Sequence, residues 1–105
     1  MSRQPSAPAP VPLTAAEQAL LKRFADALWL EDGLSANTLA AYRRDLAALA
    51  LWLAQQTCRG LLQAGEVDLL GYGAARHSGS RATTANRRLA VFRRFYRWAL
   101  RERLI

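Results

Sequence analysis

The stretch Ala82–Arg103, ATTANRRLAVFRRFYRWALRER, decides how the rest of the chain is read. At about 100° per residue, Leu89, Phe92, Phe95, Tyr96 and Ala99 fall on one side of a helix. Thr83, Asn86, Arg87, Ala90, Arg93, Arg94, Arg97 and Arg101 fall on the other. This period predicts a helix over residues 82–103 with one face for a core and one face turned outward. The polar half holds no acid, and Glu102 lies at its end. Solvated helix faces ordinarily mix signs and form pairs at i,i+4. Here like charges crowd at those spacings, which destabilises an isolated helix.

The whole net charge is gathered in this segment. From Ser80 to Ile105 there are eight arginines and one acid, while the first 79 residues carry seven basic and seven acidic side chains. The formal charge of +7 is therefore one local object, which points to a polyanion partner. Fourteen of the fifteen basic residues are arginine, and Lys22 is the only lysine. Arginine presents a planar fork of donors suited to phosphate oxygens and guanine edges, where lysine presents a point charge. A GC-rich genome also enriches arginine, so the placement carries more weight than the enrichment. A continuous arginine stripe suits a DNA groove, and Thr83, Asn86 and Ala90 are small enough to let the backbone approach. An anionic lipid surface or an acidic protein partner are the other readings of the same face.

Working outward, 105 residues, 51% of them apolar, allow one small domain with an ample core. All four prolines lie in the first twelve residues, so a disordered leader is expected over 1–13 and a folded domain over 14–105. Thr14 is an N-cap and Glu17, three residues on, completes a capping box. Leu20, Leu21, Phe24, Leu28 and Leu30 carry the first helix toward Glu31, where Asp32-Gly33 stops it. Ser35 caps a second helix whose Leu39, Tyr42, Leu46, Leu49 and Leu53 follow at threes and fours to about Gln56. Thr57 to Gly65 reads as a loop. Residues 66–76 read as a short third helix weakened by Gly71 and Gly73. His77-Ser78-Gly79-Ser80 reads as a turn. No segment alternates with period two, so the expected fold is an all-α bundle of four helices.

On the second helix, Asn37 and Arg44 lie away from the leucine stripe, Arg43 projects to one flank, and Asp45 is placed to pair with a neighbouring arginine. An ordinary exposed face and a DNA contact explain this surface equally well.

Little in the chain suits an enzyme. His77 is the only histidine, so there is no pair for a metal or a proton relay. The one cysteine, Cys58, excludes an internal disulfide and a multi-cysteine zinc site. The carboxylates are scattered as caps and surface charges. Gly71-x-Gly73 lacks the rest of a dinucleotide motif. Tyr42, Tyr72 and Tyr96 occupy apolar helical positions, where packing is the default. No catalytic residue, metal ligand or cofactor site is expected. No run approaches the roughly 20 apolar residues of a membrane span, and a cytoplasmic protein is expected.

Three groups of residues resemble a known family. Asp26-Ala27-Leu28-Trp29-Leu30-Glu31 is followed by Asn37-Thr38-Leu39 and Ala41-Tyr42-Arg43-Arg44-Asp45-Leu46. The last helix adds Ala82-Thr83-Thr84, Arg87, Leu89, Arg93-Arg94 and Arg101-Glu102. Together they resemble the SAM-like, core-binding N-terminal domain of the Xer and phage-integrase tyrosine recombinases, over about Leu21 to Arg103. The resemblance implies the N-terminal half of a clamp that lays its second and fourth helices across the major groove of a recombination half-site. The DNA-facing residues would be Asn37, Arg43, Arg44, Arg81, Thr83, Asn86, Arg87, Arg93, Arg94, Arg97 and Arg101. A catalytic domain would follow Ile105 and transfer DNA strands through a phosphotyrosyl intermediate, without metal or nucleotide. The parent would resolve chromosome dimers with a XerC-like partner recombinase and an FtsK-like translocase. Two alternatives stay open: a phage-type integrase with another target, and a regulatory domain that docks its basic helix on an acidic partner.

Overall fold

The computed structural model describes residues 13–76 and 81–105. The expected leader, apart from Leu13, and the expected turn at 77–80 lie outside the described residues. Helix α1 spans Ala15–Asp32, α2 Ala36–Gln56, α3 Glu66–Arg76 and α4 Ala82–Arg101. A single 3₁₀ turn, Leu61–Gln63, sits in the connection that the sequence reads as loop. Among the described residues there is no strand. The all-α bundle follows from the helical period of the leucines and aromatics.

The helix ends are set by local chemistry. Thr14 accepts the Glu17 N–H at 3.1 Å and Ser35 accepts the Thr38 N–H at 3.2 Å, so both N-caps form as predicted. The second half of the predicted capping box does not form. Glu17 instead turns its carboxylate to the Leu61 N–H at 3.1 Å, where it satisfies a free donor of the 3₁₀ turn. Gly33 ends α1 in the left-handed region, φ 63°, and its N–H donates to the Trp29 carbonyl. Asp68 accepts the Gly65 N–H at 2.9 Å at the start of α3. That bond, opposed by desolvation and helped by Arg59, holds its carboxyl below the ordinary value of 3.8.

Helix α4 stops two residues short of the predicted Arg103. The Leu104 N–H reaches back to the Ala99 carbonyl and the Arg103 N–H to that of Leu100, with Arg103 itself at φ 59°. This is a Schellman closure without glycine, and Leu104 packs on the core beneath it.

Helix α2 is the hub, packing on α1, α3, α4 and the 3₁₀ turn. Its Leu46, Leu49 and Leu53 are fully buried. Around them stand Leu21, Phe24, Ala25 and Leu28 of α1, Leu61 of the 3₁₀ turn, Tyr72 of α3, and Val91, Phe92, Phe95, Trp98 and Ala99 of α4. Each such aliphatic or aromatic burial contributes about 1.5–3 kcal/mol. Phe24 meets Phe95 edge-on at 5.3 Å, and Trp98 closes the cluster. Leu30 and Leu89, expected in the core, are exposed, whereas Val91 and Trp98, outside the predicted apolar stripe, are buried.

One of the two glycines of α3, Gly71, has a reason of packing. A Cβ on Gly71 would lie 3.3 Å from the edge of the Trp52 ring, and Trp52 stacks edge-on against Tyr72 at 5.5 Å. The helix propensity lost at Gly71 is thus exchanged for close contact with α2.

Candidate nucleic-acid interface

The buried arc of α4 runs from Trp98 and Val91 through Phe95 to Ala99 and Phe92. Its centre is rotated roughly 60° from the predicted stripe. The direction diametrically away from the core is therefore marked by Asn86, Arg93 and Arg97, all exposed. Thr83 and Ala90 are exposed on the same side, and Leu89 and Leu100 border it. Arg87, Arg94 and Arg101 fall on a flank, near the neighbouring helices.

That rotation divides the predicted DNA-facing residues into two groups. On the flank, Arg87 donates from Nε and Nη2 to the two oxygens of Asp45 on α2, both at 3.0 Å. Arg94 donates to Asp32 at the end of α1. Arg101 grips Glu31 through Nη1 at 2.8 Å and Nη2 at 2.9 Å, and its Nε lies 3.5 Å from Glu102. Their hydrogen bonds to these carboxylates hold the Arg87 and Arg101 guanidinium groups above their ordinary values, and the bond Glu31 accepts from Arg101 holds its carboxyl below 4.5. Asp45 thus pairs across the bundle, not with a neighbouring arginine of its own helix. Glu102 also reaches out of α4, accepting from Arg23 of α1 at 3.1 Å.

On the outward face the charges are open. Among the described residues no ion pair holds Arg93 or Arg97 on α4, Arg43 or Arg44 on α2, or Arg81 and Arg103 at the ends of α4. Asn37 is exposed in the first turn of α2, and Arg81, at the N-cap of α4, makes no side-chain capping bond. The Asp45–Arg87 pair fastens the middle of α2 to the first half of α4. The exposed Arg44 and Asn86 flank it in sequence on either helix. Arg59 is spent on Asp68 at 2.9 Å, away from this surface.

Sequence reasoning missed Asp32 and Glu31 as partners of α4 and gave Asp45 a partner on its own helix. Asp45, Asp32 and Glu31 each neutralise one arginine of α4. Their only signal was that all three lie on α1 or α2, the helices that must pack against α4. Elsewhere, the Tyr96 hydroxyl donates to the Leu61 carbonyl at 2.8 Å, and burial pushes its pKa far up, helped by Asp68 and Glu17. Tyr72 is fully buried. Among the described residues there is no cluster of three metal-ligating side chains, and no helix long and apolar enough to cross a membrane.

Residues 21–103 match the family of the phage integrase N-terminal SAM-like domain, and the chain belongs to that family. Its curated relatives are tyrosine recombinases. The tyrosine recombinase XerD of Ralstonia nicotianae is 55% identical over 100 residues, which is 95% of this chain and 32% of that protein. The tyrosine recombinase XerD of Proteus mirabilis is 45% identical over 86 residues, 81% of this chain and 27% of that protein. The chain thus spans about a third or less of the relatives it matches. No solved structure matches it significantly.

Proposed function

We propose that this domain binds duplex DNA through the outward faces of α2 and α4, as the N-terminal part of a site-specific tyrosine recombinase of the XerD type. The reading is carried by the open face of α4, where Arg93 and Arg97 stand unpaired beside Asn86 and Ala90 with no acid among them. Exposed, unpaired arginines one turn apart suit successive phosphates along a groove wall. The small residues between them let the helix axis approach. Arg43 and Arg44 extend the same chemistry onto α2.

The XerD relatives support the wider reading. The whole protein would cut and rejoin DNA through a tyrosine in a C-terminal catalytic domain, working in the cytoplasm. It would act at the chromosome dimer-resolution site with a XerC-like recombinase and an FtsK-like translocase. Within this domain the role would be binding, a reading supported by the burial of Tyr72 and by Tyr96 donating to the Leu61 carbonyl with its phenolate disfavoured.

The test is a salt titration. With Arg87, Arg94 and Arg101 already facing carboxylates, about two to four phosphates are neutralised. The log–log slope of affinity on salt is then about −2 to −3.6. Fluorescence anisotropy with a labelled duplex, from low to high salt, reads this slope. A flat response, or no binding at the lowest salt, overturns the proposal.

A further inference from the structure

The Asp45–Arg87 pair differs from the other ion pairs of α4. Asp32 and Glu31 sit on the surface, whereas Asp45 is only 8% exposed, in the seam between α2 and α4. Its two oxygens take Nε and Nη2 of Arg87, both at 3.0 Å, and so occupy one whole edge of the guanidinium. Arginine carries five N–H donors in a fixed fork. The Nη1 donors and the second hydrogen of Nη2 remain, and they form the edge at the tip. The Arg87 side chain is still 47% exposed, and no other described residue takes these remaining donors. A long side chain is thereby fixed at its middle and open at its end.

We propose that Arg87, held by Asp45, reads a guanine in the major groove by donating from its outer Nη edge to O6 and N7 of that base. This rests on the DNA-binding reading above. The charge of the pair decides between a base and a phosphate. Asp45 cancels the charge of Arg87 and would repel a phosphate placed beyond it, so little attraction to the backbone remains. Guanine offers two neutral acceptors side by side, and the pre-set tip of an arginine matches both. The rotamer entropy that a free arginine loses on such a contact has already been lost in the folded domain. Thr83, Asn86 and Ala90 leave room for α4 to approach the base edges. Arg87 is thus the reading residue and Asp45 its positioning residue, while Arg93 and Arg97 serve the backbone.

Binding sites for this chain are selected from a pool of random duplexes, and the preferred guanine is then replaced by 7-deazaguanine, which lacks the N7 acceptor. The wild-type chain should favour guanine at one position by about tenfold or more, and the analogue should remove most of that preference. Arg87→Met should be insensitive to the analogue. Asp45→Asn should weaken the guanine preference and, by uncovering the charge of Arg87, steepen the salt slope by up to about 0.9. Because either change can loosen the seam, the double variant Asp45→Asn/Arg87→Met serves as a control: its melt should approach that of the wild type, without any guanine preference. Retained preference in the double variant overturns the proposal. So does a fall of about 0.9 in the salt slope for Arg87→Met with base preference intact. Wild-type binding without any guanine preference defeats the role of Arg87 alone. No duplex binding at low salt defeats the DNA reading itself.

Discussion

The two flanks of α4 carry the same residue type and different physics. On one, Arg87, Arg94 and Arg101 are each met by a carboxylate from α1 or α2. On the other, Arg93 and Arg97 meet none among the described residues. A count of charges along the helix treats the five alike. In the folded domain, three of them hold helices together and the other two face outward without an ion pair among the described residues. Formal charge on a helix is therefore an upper bound on the charge it offers a partner. The bound is loosest where neighbouring helices end in acids.

The comparison can be broken at its base first. Both flanks stand on Phe95, fully buried between Phe24, Tyr96 and Trp98. Phe95→Ala should cost about 3–5 kcal/mol, a large part of the roughly 5–15 kcal/mol that holds a domain together. Denaturant melts should show a much lower midpoint. A loss under about 1 kcal/mol would mean that α4 is not anchored there.

The next contrast is between neighbours in sequence. Arg93→Ala and Arg97→Ala should each lower the salt slope by about 0.9 and leave stability within about 0.5 kcal/mol. Arg94→Ala should do the reverse, leaving the slope nearly unchanged while the melt shifts down. Equal slopes for Arg93→Ala and Arg94→Ala would erase the distinction between the flanks.

The smallest effect sharpens the paired flank. Glu31 has its pKa lowered in the folded state, below the ordinary 4.5, chiefly by the hydrogen bond from Arg101. A lowered value stabilises the fold above the unfolded pKa, and that contribution is lost as pH falls through the folded one. Glu31→Gln should therefore melt slightly below wild type at neutral pH, with the two curves converging in acid. The same variant leaves Arg101 with Glu102 as its only acidic partner among the described residues and should tighten DNA binding at low salt. A gap between the melts that widens in acid would refute the assignment.

Much of the fold was legible because helix ends are local. Thr14, Ser35 and Gly33 act on residues three or four away, and α2 and α3 run over the residues that spacing and stop signals indicated. Glu17 was only half legible, since its carboxylate serves Leu61, 44 residues on. The predicted stripe of α4 is out of phase because it includes the exposed Leu89 and leaves out the buried Val91 and Trp98. A tryptophan beside arginines looks like a border residue, yet Phe24 and Phe95 enclose it. That error of phase hid the split of the arginines. Choosing between an open and a paired arginine needs the acids of other helices, and no spacing within α4 encodes them.

Gly71 and Gly73 have a consequence for anyone redesigning the domain. The habitual route to a more robust helix is glycine to alanine. At Gly73 nothing lies within 4 Å of the added methyl group, so the gain in propensity is free to appear. At Gly71 the same methyl would press on the Trp52 ring at 3.3 Å and unseat α3 from α2 unless the indole yields. Two glycines two positions apart thus differ as engineering sites: one is slack in the helix, the other a socket for a neighbour's ring.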